Sequence, residues 1–67
     1  MPYYSICAFS KVSVQYKEPN VIFIEPGINV FTVLTDDIST FKNQLKSDGI
    51  RIDALNRLDG SEAHTGK

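Results

Sequence analysis

The sequence predicts a small α+β domain: an antiparallel sheet of three or four strands with one helix packed across it. Residues 4–16 alternate between apolar and polar side chains, residues 21–34 are rich in β-branched and aromatic ones, and residues 36–48 have a helical period. A chain of 67 residues, 42% hydrophobic and 22% charged, fits one globular domain. We expect this domain at 1–58 and a flexible, disordered C-terminal tail at 59–67, where little can be buried.

The first predicted β region covers residues 4–16. A period of two places one set of side chains on a single half-buried face: Tyr4, Ile6, Ala8, Val12, Val14 and Tyr16. Strands usually have about five or six residues, so this region is long for one strand. Ser10 and Lys11 therefore mark a bend, a bulge or a tight turn between two strands.

Two further strands are expected before the helix. Residues 17–20 contain Pro19 and read as a break, after which the apolar run 21–24 predicts a strand covered on both faces. Residues 25–27 predict a type II turn, because Gly follows Pro where φ must be positive. In residues 28–34 both alternating sets of positions (both parities) are largely apolar, so both faces of this strand can be buried. This pattern favours a central strand over an edge strand.

Residues 36–48 are predicted to form the helix. Apolar side chains recur at i, i+3 and i+7 on one stripe, at Ile38, Phe41 and Leu45. Thr35 or Asp36 is suited to cap the first turn, and Asp37 suits the positive end of the helix dipole. Gly49 supplies the left-handed residue that ends the helix.

The segment 50–58 allows two interpretations. Residues 50–53 alternate like a short strand, whereas the threefold spacing of Ile52, Leu55 and Leu58 also fits a turn of helix. We favour a strand at 50–53 followed by a helical turn. The expected core is Tyr4, Ile6, Val12, Val14, Ile22, Ile24, Val30, Leu34, Ile38, Phe41, Leu45 and Ile52.

Composition argues against several functional classes. A formal net charge of −1 does not fit a globally basic nucleic-acid binder. Cys7 is alone, His64 lies in the expected tail, and Asp36 and Asp37 are explained as helix-capping residues. No glycine motif for phosphate is present. We therefore expect no enzyme, no catalytic, cofactor or metal residue, no small-molecule substrate, no membrane span or leader, and a cytoplasmic location.

Two short resemblances point to other functions. Met1 and Pro2 before a strand resemble the start of the tautomerase superfamily, which would imply Pro2 as general base, but three β segments follow where that family has a long helix. The second half loosely resembles a helix–extended-loop–helix DNA-binding module at Ile38, Phe41, Leu45, Gly49, Ile50, Leu55 and Leu58. Its basic residues, Arg51 and Arg57, are countered by Asp53 and Asp59. These charges argue against nucleic acid as the partner.

A longer resemblance covers residues 28–58. An apolar strand running into Thr35, Asp36 and Asp37, a short helix through Leu45 and a closing segment at 50–52 follow the order seen in the small N-terminal domain of Mu-like prophage proteins. This resemblance implies a phage or mobile-element protein and no defined activity or catalytic residues.

The sheet is expected to have more apolar surface than one helix can cover. Both parities of residues 21–24 and 28–34 are largely apolar, so a second face remains for a protein partner or another copy. The candidate partner-binding residues are Phe9, Phe23, Phe31 and Val33. The expected function is a non-enzymatic protein-interaction or assembly module, whose partner is either another protein or a second copy of this chain bound through the sheet. The alternative is a nucleic-acid-binding accessory protein with a local patch that includes Phe9, Lys11 and Tyr3.

Overall fold

A computed structural model describes residues 1–58 of the chain. Its elements are β1 (Tyr3–Ser10), β2 (Val14–Tyr16), β3 (Ile22–Ile24), β4 (Gly27–Leu34), α1 (Ile38–Ser47) and β5 (Arg51–Arg57). The strands form a three-stranded sheet in the order β4-β1-β5 and a two-stranded sheet of β2 and β3. The predicted α+β class, with one helix packed on an antiparallel sheet, is confirmed. The tail predicted at 59–67 lies outside the described residues.

β1 is the central strand and pairs antiparallel with both β4 and β5. Side chains that stand opposite each other in such pairs lie on the same face of the sheet. Tyr4, Ile6 and Ala8 therefore share the inner face with Val33 and with the other β4 and β5 residues that oppose them. Ile6 and Ala8 are fully buried there.

The alternating region 4–16 is two strands with a turn between them. The hydroxyl of Ser10 donates to the carbonyl oxygen of Val12 at 2.7 Å and accepts from the Val12 amide at 3.1 Å, which closes the turn. Val12 is 51% exposed, so its place in the predicted core is wrong. Val12 falls on the same alternating set of positions as the apolar residues of 4–16. Because it lies in the connection between β1 and β2, it belongs to neither strand and does not share their buried face.

The hairpin of β2 and β3 covers only one of its own faces. Ile22 and Ile24 are buried, whereas Phe23 between them is 65% exposed and Val21 is 64% exposed. The prediction that 21–24 is covered on both faces is therefore wrong. The break at 17–20 is present, and the bond between Glu18 and Pro19 in it is cis.

β4 begins at Gly27, whose φ of 108° meets the positive value expected for the preceding turn. It is an edge strand, so the predicted central position is wrong. The predicted inner parity is wrong as well: Val30 is 72% exposed and Leu34 44% exposed, while Val33 is buried. Both parities are apolar, and the pairing of Tyr4 with Val33 determines which one faces inward.

α1 lies within two residues of its predicted bounds. The N-cap is Asp37 and not Thr35 or Asp36 as predicted, because the Asp37 carboxylate accepts from the Thr40 amide at 3.1 Å. Gly49 follows the helix with a φ of 85°. Phe41 and Leu45 are buried on the stripe that faces the sheet.

β5 is extended along its whole length, so the helical turn favoured after residue 53 is wrong. Ile52 lies opposite Ala8 and Leu55 opposite Ile6, with a shift in register between them. One extra residue in β5 allows Ile52 and Leu55, three apart, to face the same side. A β-bulge thus produces the threefold spacing that resembles a helix.

The core lies between the inner face of the sheet, the hairpin and α1. The predicted residues that are buried in it are Ile6, Ile22, Ile24, Phe41 and Leu45, and those partly buried against it are Tyr4, Val14, Ile38 and Ile52. The buried residues absent from the predicted core are Ala8, Tyr16, Val33 and Ile50.

One contact joins the hairpin to the helix. The ring of Tyr16 stands edge-on to Phe41 with 5.5 Å between centroids, and its hydroxyl donates to the carboxylate of Asp48. This hydrogen bond, helped by one from Gln44, holds the pKa of Asp48 below its usual range. Burial, and then the bond to Asp48, raises the pKa of Tyr16.

Replacing Phe41 with alanine should remove about 3 kcal/mol or more of stability, since it deletes a buried ring that contacts Tyr16. Urea unfolding followed by circular dichroism measures this loss. The matched control is Ser39→Ala on the exposed side of α1, expected within about 0.5 kcal/mol of the wild type. A loss below about 1 kcal/mol for Phe41→Ala would show that the helix buries a different stripe.

The Tyr16–Asp48 bond should make stability depend on pH in a defined direction. The pKa of Asp48 is lower in the folded state than in the unfolded state. The stabilisation of the fold by the Tyr16–Asp48 bond is therefore present at neutral pH and is lost as the pH falls below the ordinary aspartate pKa of about 4. The difference in Tm between wild type and Tyr16→Phe should therefore be largest near neutrality and narrow in acid. Asp48→Asn should lack this acid dependence; an acid-independent difference for Tyr16→Phe would contradict the assignment.

Candidate interaction surface

The side of the three-stranded sheet turned away from α1 is the candidate site, and we call it the outer face. Its apolar side chains come from two neighbouring strands: Tyr3, Cys7 and Phe9 of β1, and Ile28, Val30 and Leu34 of β4. The register brings them together in opposite pairs, with Cys7 beside Val30 and Phe9 beside Ile28.

The outer face is open to solvent on its β4 side. Val30 is 72% exposed, Ile28 64% and Leu34 44%. Single exposed apolar residues are ordinary on protein surfaces, but a contiguous group on one sheet face is typical of an interaction site. The polar residues among them, Ser5 and Thr32, are small and uncharged and also face each other.

Charged groups lie at the β5 side of the outer face. The guanidinium of Arg51 stands 5.0 Å from the centroid of the Phe9 ring, and its Nε donates to Oδ1 of Asp53 at 2.9 Å. Arg51 thus covers part of Phe9 and is itself paired with a carboxylate. The outer face therefore grades from an apolar β4 side to a charge-paired β5 side.

The backbone of β4 adds a second feature to this surface. The Leu34 amide points away from β1 and donates to the side-chain oxygen of Asn20 at 2.7 Å. Alternate residues of an antiparallel strand direct their backbone groups to the same side. The backbone amides and carbonyls of Thr32, Val30 and Ile28 therefore also point away from β1. No described strand pairs with this edge.

The four predicted partner-binding residues are dispersed. Phe9 is half-buried on the outer face, and Phe23 is exposed on the hairpin, in a shallow concavity with Val14 and Glu25. Phe31 is half-buried against the core, and Val33 is 1% exposed, so the structure removes Val33 from any accessible surface.

The residues missed by sequence reasoning are Ile28, Val30 and Leu34. The sequence does show that both alternating sets of residues 28–34 are apolar. The even-numbered set, which the structure exposes, was expected in the core. The correct choice requires the register with β1, which no local pattern encodes.

The polar contacts at the start of α1 are those of a helix cap. Asp37 caps α1, and bonds from the hydroxyl and amide of Thr40 hold the pKa of its carboxyl below the usual range. Residues 1–58 contain no group of three metal-binding side chains. Cys7 is a free, half-buried thiol on the outer face, and His64 lies outside these residues. The one helix in residues 1–58 is too short and too polar to cross a bilayer.

Comparison with known proteins finds no matching family model, no matching curated protein and no matching solved structure. The resemblance of residues 28–58 to the N-terminal domain of Mu-like prophage proteins, and the phage origin that it implies, therefore stay predictions.

Alanine substitutions on the two parities of β4 should differ sharply in their effect on stability. Val33→Ala should cost about 2 kcal/mol, because it removes buried apolar area and leaves a small cavity. Val30→Ala on the same strand should cost less than about 1 kcal/mol, since only strand propensity is lost at an exposed position. Urea unfolding of both variants measures the difference, and equal losses would contradict the inward parity assigned to Val33.

Proposed function

We propose that this protein is a non-enzymatic protein-interaction module that binds through the outer face of its three-stranded sheet. The supporting observation is the set of exposed apolar side chains on the side that α1 leaves open: Ile28 and Val30 beside Phe9 and Cys7, and Leu34 beside Tyr3. Burying such a group in an interface is favourable by about 25 cal/mol for each Å² of apolar surface removed from water.

The location of this surface supports binding rather than chemistry. The β4 strand contributes no titratable side chain to the outer face, so this side of the face has no acid or base for a reaction. An apolar sheet face bordered by polar groups is suited to another protein surface. Because the apolar residues lie on paired strands, the surface is also rigid before it binds, which lowers the entropic cost of association.

Nucleic-acid binding is the second candidate, favoured by the stacking of Arg51 on Phe9. Single-strand binders combine exposed aromatic rings with free cations along a groove. Here the cation is paired with Asp53, and the exposed apolar side chains next to Phe9 are aliphatic. These two observations favour a protein partner.

A lysine at position 30 should abolish association by the outer face. Val30→Lys places a charge in the middle of the apolar group, whereas the matched control Ser39→Lys adds the same charge to the exposed side of α1. Light scattering over a hundredfold concentration range gives the solution mass of all three proteins, and affinity capture from the native host is run in parallel.

The expected result is association, with itself or a captured protein, that Val30→Lys loses and Ser39→Lys keeps. A wild-type chain that stays monomeric and captures the same proteins as Val30→Lys would overturn the proposal. Urea unfolding of each variant confirms that the fold is retained.

A further inference from the structure

We propose that the partner of β4 is a second copy of this chain, joined edge to edge in a dimer with two-fold symmetry. The inference rests on the proposed function, because it assigns a partner and a pairing geometry to the same strand. It is argued from the backbone of β4, whereas the proposed function is argued from its side chains.

Three residues of β4 have backbone groups that pair with no strand in residues 1–58. The Thr35 amide donates to the Pro2 carbonyl oxygen at 3.1 Å, so the odd-numbered residues of β4 direct their backbone groups toward β1. Ile28, Val30 and Thr32 therefore direct an amide and a carbonyl each toward the open edge. Such an edge is a template for another strand.

Both ends of this free edge are closed. At one end the Leu34 amide already donates to Asn20. At the other end Pro26 has no amide hydrogen to donate. The pairing segment is thus limited to residues 28–32, with Val30 at its centre.

A second copy matches this segment in one antiparallel register. When Val30 stands opposite Val30 of the partner subunit, Ile28 stands opposite Thr32 of the partner subunit, and the reverse pair follows by symmetry. Every free amide and carbonyl of the three residues is then bonded across the axis. A shift of two residues in either direction places one of the three opposite Leu34 or Pro26 of the partner subunit, whose backbone has no amide hydrogen left to donate, so the symmetric register forms the most hydrogen bonds.

Charge favours β4 over the other edge. Gly27–Leu34 contains no charged residue, so two copies meet without repulsion. β5, the opposite edge, has Arg51, Asp53 and Arg57 and a bulge, which are devices that protect an edge from pairing. One open edge and one protected edge produce a closed dimer instead of a fibre.

The decisive experiment blocks the edge without changing any side chain. In a chemically synthesised chain, N-methyl-valine at position 30 removes the amide hydrogen and adds a methyl group where the partner strand would lie. This amide points away from β1, so the pairing within the sheet is kept. The unmodified synthetic chain is the control, and circular dichroism melting verifies folding.

Sedimentation over a hundredfold concentration range should show the control rising from 7.5 kDa toward twice that mass, while the N-methyl chain stays at 7.5 kDa. A monomeric control, or a dimer that N-methylation leaves intact, overturns the edge pairing. If the dimer survives N-methylation, it forms through side chains alone. Loss of that dimer in Val30→Lys would then still support the outer face as the binding surface. The two proposals therefore fail separately.

A pair of variants with the same charges tests the register. Ile28→Lys with Thr32→Glu places opposite charges across the axis twice, whereas Ile28→Lys with Val30→Glu places two glutamates directly opposite each other. The first should dimerise about tenfold more tightly at low salt, and the advantage should shrink as salt is added. Equal affinities would overturn the proposed register.

Discussion

The pairing of β1 with a strand on each side is the constraint on which the rest of the structure depends. β4 and β5 pair with β1 and not with each other, and the inward residues of β1, Ile6 and Ala8, are fully buried. The parity of β1 also determines that of its neighbours, because opposite residues share a face. Val33 is buried and Val30 exposed for this reason, although both are valines on one strand.

The elements within residues 1–58 cover only one face of the three-stranded sheet. α1 and the hairpin cover the inner face, and the contact of Tyr16 with Phe41 and Asp48 joins them into one layer. None of the described elements is left for the outer face. The apolar side chains of β4 are exposed, and its outward backbone groups are unpaired, because no described element packs on the outer face or pairs with this edge.

Local patterns predicted the elements better than their positions. The helix stripe at Phe41 and Leu45 and the turn glycine at 27 depend on nearby residues, and each was predicted correctly. The edge position of β4 and the bulge in β5 depend on register with β1, so alternation and spacing misassigned them. The candidate surface was predicted as surplus apolar area, but of its residues only Phe9 was named, because two apolar parities look alike in sequence.

The order of strands also has a consequence for synthesis of the chain. Tyr4 pairs with Arg57, so the central strand, made early, obtains its second neighbour only when the last described strand is complete. Until then a growing chain can pair β1 with β4 alone, leaving the β5 side of β1 and the buried side of Ile6 open to water. Closing so long a loop is slow in comparison with local helix formation. The nascent chain is therefore most exposed to wrong pairing just before β5 arrives.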